Sequence, residues 1–420
     1  MQTSAPVETS TSAPYLLLGT VVTDGRVLGD WAVAVRNDRI VYAGPRGDLN
    51  TDELHGAEVI AVPPNGFIVP GLVDLHCHGA VGGDFPAGEN AGSRAAVDFL
   101  HAHGTTTLLA SLVTAPSTDL LAAITTLKPM VAEGLVAGIH VEGPFLSHAR
   151  CGAQNPQWLR EPDLELLSEL LRAAGGALKS MTYAAELEGA DELVDMLAKH
   201  GVVPSFGHSD SDAETAAASL QRAAGSLASS SLHRSGVRPT VTHLFNGMAP
   251  MHHRNPGPVA ACLRLARAGT VAVELIGDGV HLDPQTVRMV FELVGPGNVV
   301  LVTDSMAATG LPDGDYVLGP SAVSVRNGVA TLRSTGSLAG GTATLLDVVR
   351  QTIAAGVSPG DAVASATSVP AQILGLGAEV GSLRTGMKAD VVVVDEDFGL
   401  LSVLRGGARI PRKSPSPDAA

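Results

Sequence analysis

The chain has 420 residues, 45% hydrophobic and 16% charged, enough apolar mass for a large folded core and unlike the composition of a disordered chain. Its formal net charge is -15, from 27 Lys and Arg against 42 Asp and Glu, which argues against nonspecific nucleic-acid binding but leaves room for local cations to hold a small anion. Three cysteines (Cys77, Cys151 and Cys262) make no disulfide framework and fit a reducing, cytoplasmic setting, and no apolar run reaches bilayer-spanning length, so no membrane partner is expected.

The opening MQTSAPVETSTSAP, residues 1–14, lacks a basic start and an apolar centre and reads as a loose tail, not a signal peptide. YLLLGTVVTD, WAVAVRNDRIVYAG and AEVIAVPPNGFIVPG follow as short apolar or alternating runs broken by Gly, Asp and Pro, the mark of β-structure. The rhythm then changes. GLVDLHCHG, TTTLLAS, AGIHVEGP, KSMTYAAEL, VVPSFGHSD, VTHLFNGM, VAVELIGDGV and NVVLVTDS read as strands. Helix-like segments intervene, among them SRAAVDFLHAHG, STDLLAAITTLKPMVAEG, ADELVDMLAKHG and SDAETAAASLQRAAG. This α/β alternation predicts a (β/α)₈ TIM-like barrel over residues 69–378. A doubly wound open sheet is the competing arrangement, and it fares worse for want of a Gly-rich phosphate fingerprint after the first strand. Near the other end, VLGPSAVSVRNGVATL and KADVVVVDED return to β character. The two chain ends are therefore expected to meet in one small β-sandwich domain, residues 15–68 with 379–408, before a disordered RKSPSPDAA.

The ends of the strand-like runs carry the chemistry. His76 and His78 sit two positions apart on the first, so they share a face, while Cys77 between them faces the other way. Glu142 ends the third run, His208 the fifth and Asp304 the eighth, and His243 lies on the sixth. In such a barrel these ends open onto one face, where sites are built. A lone histidine on an apolar strand is usually a satisfied core residue; imidazoles and carboxylates recurring at matching ends point to a divalent metal, zinc or similar. A metal would bring the pKa of a coordinated water towards neutrality, and Asp304 could take its proton and pass it on.

These residues resemble the amidohydrolase superfamily. The successive motifs HVEGPF, PSFGHSDSDAETA, THLFNGMAPMHHRNPG, GDGVHLDP, LVTDSMAATG and STGSLAGGTATLLD look like the N-acetylglucosamine-6-phosphate deacetylase family, from about residue 15 to about residue 405. The resemblance implies metal-dependent hydrolysis of N-acetyl-D-glucosamine 6-phosphate to D-glucosamine 6-phosphate and acetate, in amino-sugar catabolism and cell-wall recycling. It implies that Glu142, His208 and His243 hold a main ion, that His76 and His78 hold a second, and that Asp304 is general base and then acid. The ion would be Zn²⁺ above all, with Fe²⁺, Co²⁺, Mn²⁺ or Cd²⁺ as alternatives, one or two per subunit. Asn246, Gly247, Arg254 and His281 would bind the sugar phosphate, with Arg254 reaching the neighbouring site of a homodimer. Leu338, Ala339 and Gly340 would shape the acetyl pocket, and Cys151 is a candidate contact. One departure stands out: Gln154 occupies the place of a family histidine that helps polarise the acetyl carbonyl or hold substrate, and glutamine can donate a hydrogen bond there but carries no charge.

Two other functions compete. Another amidohydrolase, a deaminase or cyclic-amide hydrolase, would share the barrel and metal pattern, but Lys179 starts the fourth run instead of ending it, so no bridging lysine is evident. A noncatalytic barrel scaffold would be expected to have lost Asp304 or several metal positions, and all are present.

Overall fold

The computed structural model describes residues 14–230 and 236–411; the expected tails, residues 1–13 and RKSPSPDAA, lie outside the described residues. All eight central runs form strands: Leu72–Cys77, Thr105–Leu112, Gly138–Glu142, Leu178–Tyr183, Val203–Phe206, Thr240–Val241, Ala272–Leu275 and Val299–Leu301. They pair in parallel and in chain order. Between the eighth and first strands, backbone and side chain complete the circuit. His78 N–H donates to Ser305 O at 2.7 Å and Asp304 N–H to His76 O at 2.9 Å. Buried Asp74 accepts from Thr303 Oγ1 at 2.7 Å. The result is a nearly closed barrel.

Side-chain alternation along each strand explains how this sequence makes an inside and an outside. Val299 and Leu301 pack in the large cluster shared with the outer helices, while Val300 and Val302 join Val73, Leu109, Val203 and Ala272 inside. Ile139 and Val141 likewise face out. The same period carries Glu142 and Glu274 to the interior side of the third and seventh strands, and Asp304 follows in the turn past the eighth. The ring of helices includes the four expected segments, Asn90–Ala102, Ser117–Ala132, Ala190–Lys199 and Ala213–Ala228. It also includes Leu164–Ala174, whose ends are written in the sequence. Asp163 caps its first turn by accepting from the N–H groups of Glu165 and Leu166, and Gly175 ends it in a left-handed conformation.

Both chain ends enter one eight-stranded sheet. Phe67–Pro70 is its joint, antiparallel to Val391–Val394 and parallel to Tyr15–Thr23. Alternation works here too. Val391 and Val393 pack with Leu17, Val33 and Ile68 in the small domain's own core, whereas Val392 and Val394 join the barrel cluster. This double burial explains a run of four valines. The stretch 317–332, read from the sequence only as β, settles elsewhere. It forms a three-stranded antiparallel sheet of its own, Gly314–Leu318, Ser321–Arg326 and Val329–Leu332. Its apolar side packs on Met306, Ala307 and Ala308, just past the eighth barrel strand.

Candidate active site

Glu142 lies at the centre of the strand-end cluster. Its Oε1 is 3.0 Å from His208 Nε2 and 2.8 Å from His243 Nε2. Its Oε2 faces the first strand, 3.7 Å from His76 Nε2 and 3.5 Å from His78 Nε2. Those two imidazole nitrogens are 3.0 Å apart, and Asp304 Oδ1 sits 3.4 and 3.2 Å from them. Cys77 turns away, with Sγ 3.1 Å from Ser305 Oγ and its neighbours in the outer cluster. The backbone is shaped for this convergence: His208, His243 and Asp304 have φ of 48°, 27° and 48°, a left-handed region that side chains rarely adopt and that collects at functional sites.

The outer nitrogens are held as well. Nδ1 of His78 meets Ser111 O at 3.1 Å, Nδ1 of His208 meets Arg150 O at 2.7 Å, and Nδ1 of His76 meets Glu274 Oε2 at 3.4 Å. His243 Nδ1 is buried without a partner. Fixing Nδ1 as the donor leaves the Nε2 lone pair directed into the cluster, the orientation a metal ligand needs.

Electrostatics test whether the donor set fits a cation. Burial by itself lowers the His76 imidazole, but the carboxylates of Glu142 and Asp304 outweigh it and hold it well above its ordinary value. Against the same burial, hydrogen bonds to Asp304 and Glu142 push His78 up to about 9. Burial would raise the acids, yet His76 and His78 bring Asp304 down to about 2, and His76 and His208 hold Glu142 well below the carboxylate range. The acids are thus ionised, and the His76, His78 and His208 imidazoles are drawn towards positive charge. With nitrogen and carboxylate-oxygen donors within 4.8 Å of one another in two overlapping triads, His76–His78–Asp304 and His76–Glu142–His243, the residues fit a divalent ion.

A cavity of about 230 Å³ opens over the cluster. His78, Glu142, Gln154, His208, His243, Asn246, Gly247, His281, Asp304, Leu338 and Gly340 line it, joined by Gly152, Ala153, Leu318 and Ser337. Gln154 is held at both ends of its amide: Oε1 accepts from Thr114 N–H at 2.8 Å, and Nε2 donates to Glu142 Oε2 at 2.6 Å. His281 points Nδ1 at Asp278 Oδ2, 2.8 Å away, and its Nε2 lies 4.0 Å from Asp304 Oδ2. Burial lowers His281, but the Asp278 contact prevails and raises it. Gly247 has φ of 61°, and a Cβ there would stand 2.7 Å from His208 Nδ1, so only glycine fits.

Other sequence-predicted residues lie apart from the cavity surface. His76 is buried beneath it, and Ala339 is buried with Met306 and Val323. Cys151 is half-buried in the loop before Gly152. Arg254 is exposed ahead of helix Gly257–Arg267, with a guanidinium nitrogen 2.8 Å from His253 Nε2. Sequence reasoning missed Glu274, Asp278 and the wall supplied by Leu318 and Ser337. A signal existed for the first, a single acid inside the apolar run VAVELIG, and for the second, an Asp three residues before His281.

Comparisons with known proteins agree with this architecture. The profile of the amidohydrolase family matches residues 67–410. An N-acetylglucosamine-6-phosphate deacetylase from Bacillus subtilis (strain 168) is 32% identical over 395 residues, 92% of this chain and 94% of that protein. One from Homo sapiens is 33% identical over 343 residues, 79% of this chain and 80% of that protein. Among solved structures, a mutant N-acetyl-D-glucosamine-6-phosphate deacetylase from Mycobacterium smegmatis in complex with N-acetyl-D-glucosamine-6-phosphate has a TM-score of 0.86 at 36% identity, covering 95% of this chain and 100% of that one. The chain belongs to the amidohydrolase family, and within it to the N-acetylglucosamine-6-phosphate deacetylases.

Proposed function

We propose that this protein hydrolyses N-acetyl-D-glucosamine 6-phosphate to D-glucosamine 6-phosphate and acetate, with Zn²⁺ as its ion, in the cytoplasm. The observation that carries the reading is the meeting of Asp304, Glu142 and four imidazoles in one cluster at and just beneath the floor of one cavity, in a chain whose relatives bear that enzyme's name. Among the described residues no helix is long and apolar enough to cross a membrane.

In this reading Glu142, His208 and His243 hold the main ion, and His76, His78 and Asp304 hold a second. When bound, such an ion supplies Lewis acidity, lowering the pKa of a water towards neutrality and polarising a carbonyl oxygen. Asp304 accepts the proton of the attacking water as the C–O bond forms, then returns it to the amine nitrogen as the C–N bond breaks, so acetate and a free amine result. The neighbouring imidazoles stabilise its anionic form, so the carboxylate is ionised and free to accept a proton at the start of the reaction. Gln154 keeps Glu142 in place and has one amide N–H left for the acetyl group. Leu338 and Gly340 bound the acetyl end, with Ala339 behind them and Cys151 at the rim. Asn246, the Gly247 N–H and His281 face the sugar phosphate.

The phosphate lacks a fixed cation in this set. Arg254, exposed on its loop, fills that role in the neighbouring subunit of a homodimer. The direct experiment is acetate and amine release from N-acetyl-D-glucosamine 6-phosphate beside its unphosphorylated form, with bound metal measured. Turnover of the phosphorylated compound, lost on chelation and restored by Zn²⁺, is expected; no preference for the phosphate would overturn the substrate. Mixing Arg254→Ala with an Asp304→Asn variant tests sharing: mixed dimers with one intact site recover activity if Arg254 acts across the interface, and none if it acts within its own subunit.

A further inference from the structure

Glu274 is a buried acid for which the proposed chemistry has no use. It lies on the seventh barrel strand and is 4% exposed. Its Oε2 has two partners, His76 Nδ1 at 3.4 Å and the His243 N–H at 3.3 Å. Among the described residues no Lys or Arg forms an ion pair with it. Burying such a carboxylate is costly unless something cationic answers it. The groups it touches belong to the site, one on each side of Glu142.

The outer contacts of the site imidazoles differ in kind. His78 and His208 turn Nδ1 to backbone carbonyls, of Ser111 and Arg150. His76 turns Nδ1 to a carboxylate. Both arrangements fix the tautomer, but a full negative charge behind the ring makes the opposite nitrogen a stronger donor than a carbonyl dipole does. His76 is also the imidazole common to both overlapping donor triads.

We propose that Glu274 is a positioning residue that acts through His76 to set the metal affinity of the His76–His78–Asp304 position. The inference rests on the two-ion reading given under the proposed function. The test strips the full chain with a chelator and titrates it with Co²⁺, following the visible absorption of the bound ion and the metal retained per chain after dialysis. The wild type should take up two ions in separable steps. Glu274→Gln keeps the shape and an acceptor but removes the charge. It should weaken one step by about 10–100-fold and leave the other within about twofold. In a His76→Ala background the remaining step should be the same with and without Glu274→Gln. Identical titrations of wild type and Glu274→Gln would overturn the proposal, as would equal weakening of both steps, which marks a packing role alone. If Glu274→Gln does not fold, Glu274→Asp keeps the charge but withdraws it by one methylene and must show the same selective loss; an unchanged titration overturns the proposal. A wild type that binds a single ion refutes the two-ion reading itself, an outcome distinct from the others.

Discussion

The carboxyl end of the barrel and the seam beneath the small sheet both bury charged groups, but they satisfy them differently. At the seam, each charge answers backbone. Arg405 Nε donates to Thr106 O at 3.0 Å, and a second guanidinium nitrogen donates to Gly134 O. Asp390 Oδ1 accepts from Gly406 N–H at 2.7 Å, and its own carbonyl accepts from Gly71 N–H. Burial raises the Asp390 carboxyl and lowers the Arg405 guanidinium, so each is held in its less charged direction. His101, at the end of its helix, is lowered to about 3 by burial and by Arg405. At the site the shifts run the other way, because side chains answer one another and acids face imidazoles. The hydrogen bonds of Arg405 and Asp390 at the seam are met by backbone and tie two sheets together. The cluster at the cavity holds charges that a bound cation would complete. The downward shift of His101 at the seam runs opposite to the upward shifts of His76 and His78, which face Glu142 and Asp304.

The largest expected effect breaks function and spares the fold. Asp304→Asn keeps the shape but cannot accept a proton, so kcat should fall by at least about 10²–10⁴-fold. Melting temperature and the ion at Glu142 should be retained, as read by calorimetry and elemental analysis. Near-normal turnover by protein whose mass confirms the Asn would remove Asp304 from the proton transfer.

The converse change lies at the seam. Arg405→Met deletes the donors to Thr106 O and Gly134 O and removes one of the two cations, with Lys388, that face Asp390. Gly134 O is exposed and can turn to water, but the partly buried Thr106 O is left unpaired at a cost of about 1–3 kcal/mol, so a loss of about 2 kcal/mol in denaturant unfolding is expected, with kcat/KM within about twofold. A fall in kcat/KM that tracks the fall in stability would show the two regions to be coupled and undo the comparison.

The smallest effect is a matter of pH. The folded value of His101, about 3, lies below the ordinary 6.5, so as pH falls the unfolded chain takes up the proton first. Stability from this group is complete above pH ~6.5 and is lost as pH drops towards about 3, a loss of about 2 kcal/mol by pH 5. His101→Leu should flatten the stability profile between pH ~6.5 and ~4.5 by that amount. An unchanged slope would mean that His101 titrates normally in the folded protein.

Much of this molecule was legible before its structure. The ends of the apolar runs, which open onto one face of a barrel, marked Glu142 and Asp304 as site residues with no knowledge of their neighbours. The His76–Cys77–His78 spacing separated two inward imidazoles from an outward thiol, as the geometry has it. Helix ends were written locally, as at Asp163 and Gly175, because a cap involves only the adjacent turn.

What the tertiary structure decided is what periodicity cannot carry. Alternation assigns a face but not a partner. It therefore left open whether residues 317–332 pair with the small sheet or, as they do, form a separate wall beside the cavity. It gave no reason for the single acid at 274, since His76 lies 198 residues away in the chain. The left-handed turns at His208, His243 and Asp304 are uncommon for any residue but glycine, even though His and Asp tolerate them better than most, so local preference does not predict them. Only contacts made across the closed barrel hold those backbones in place, and those contacts exist once all eight strands have come together.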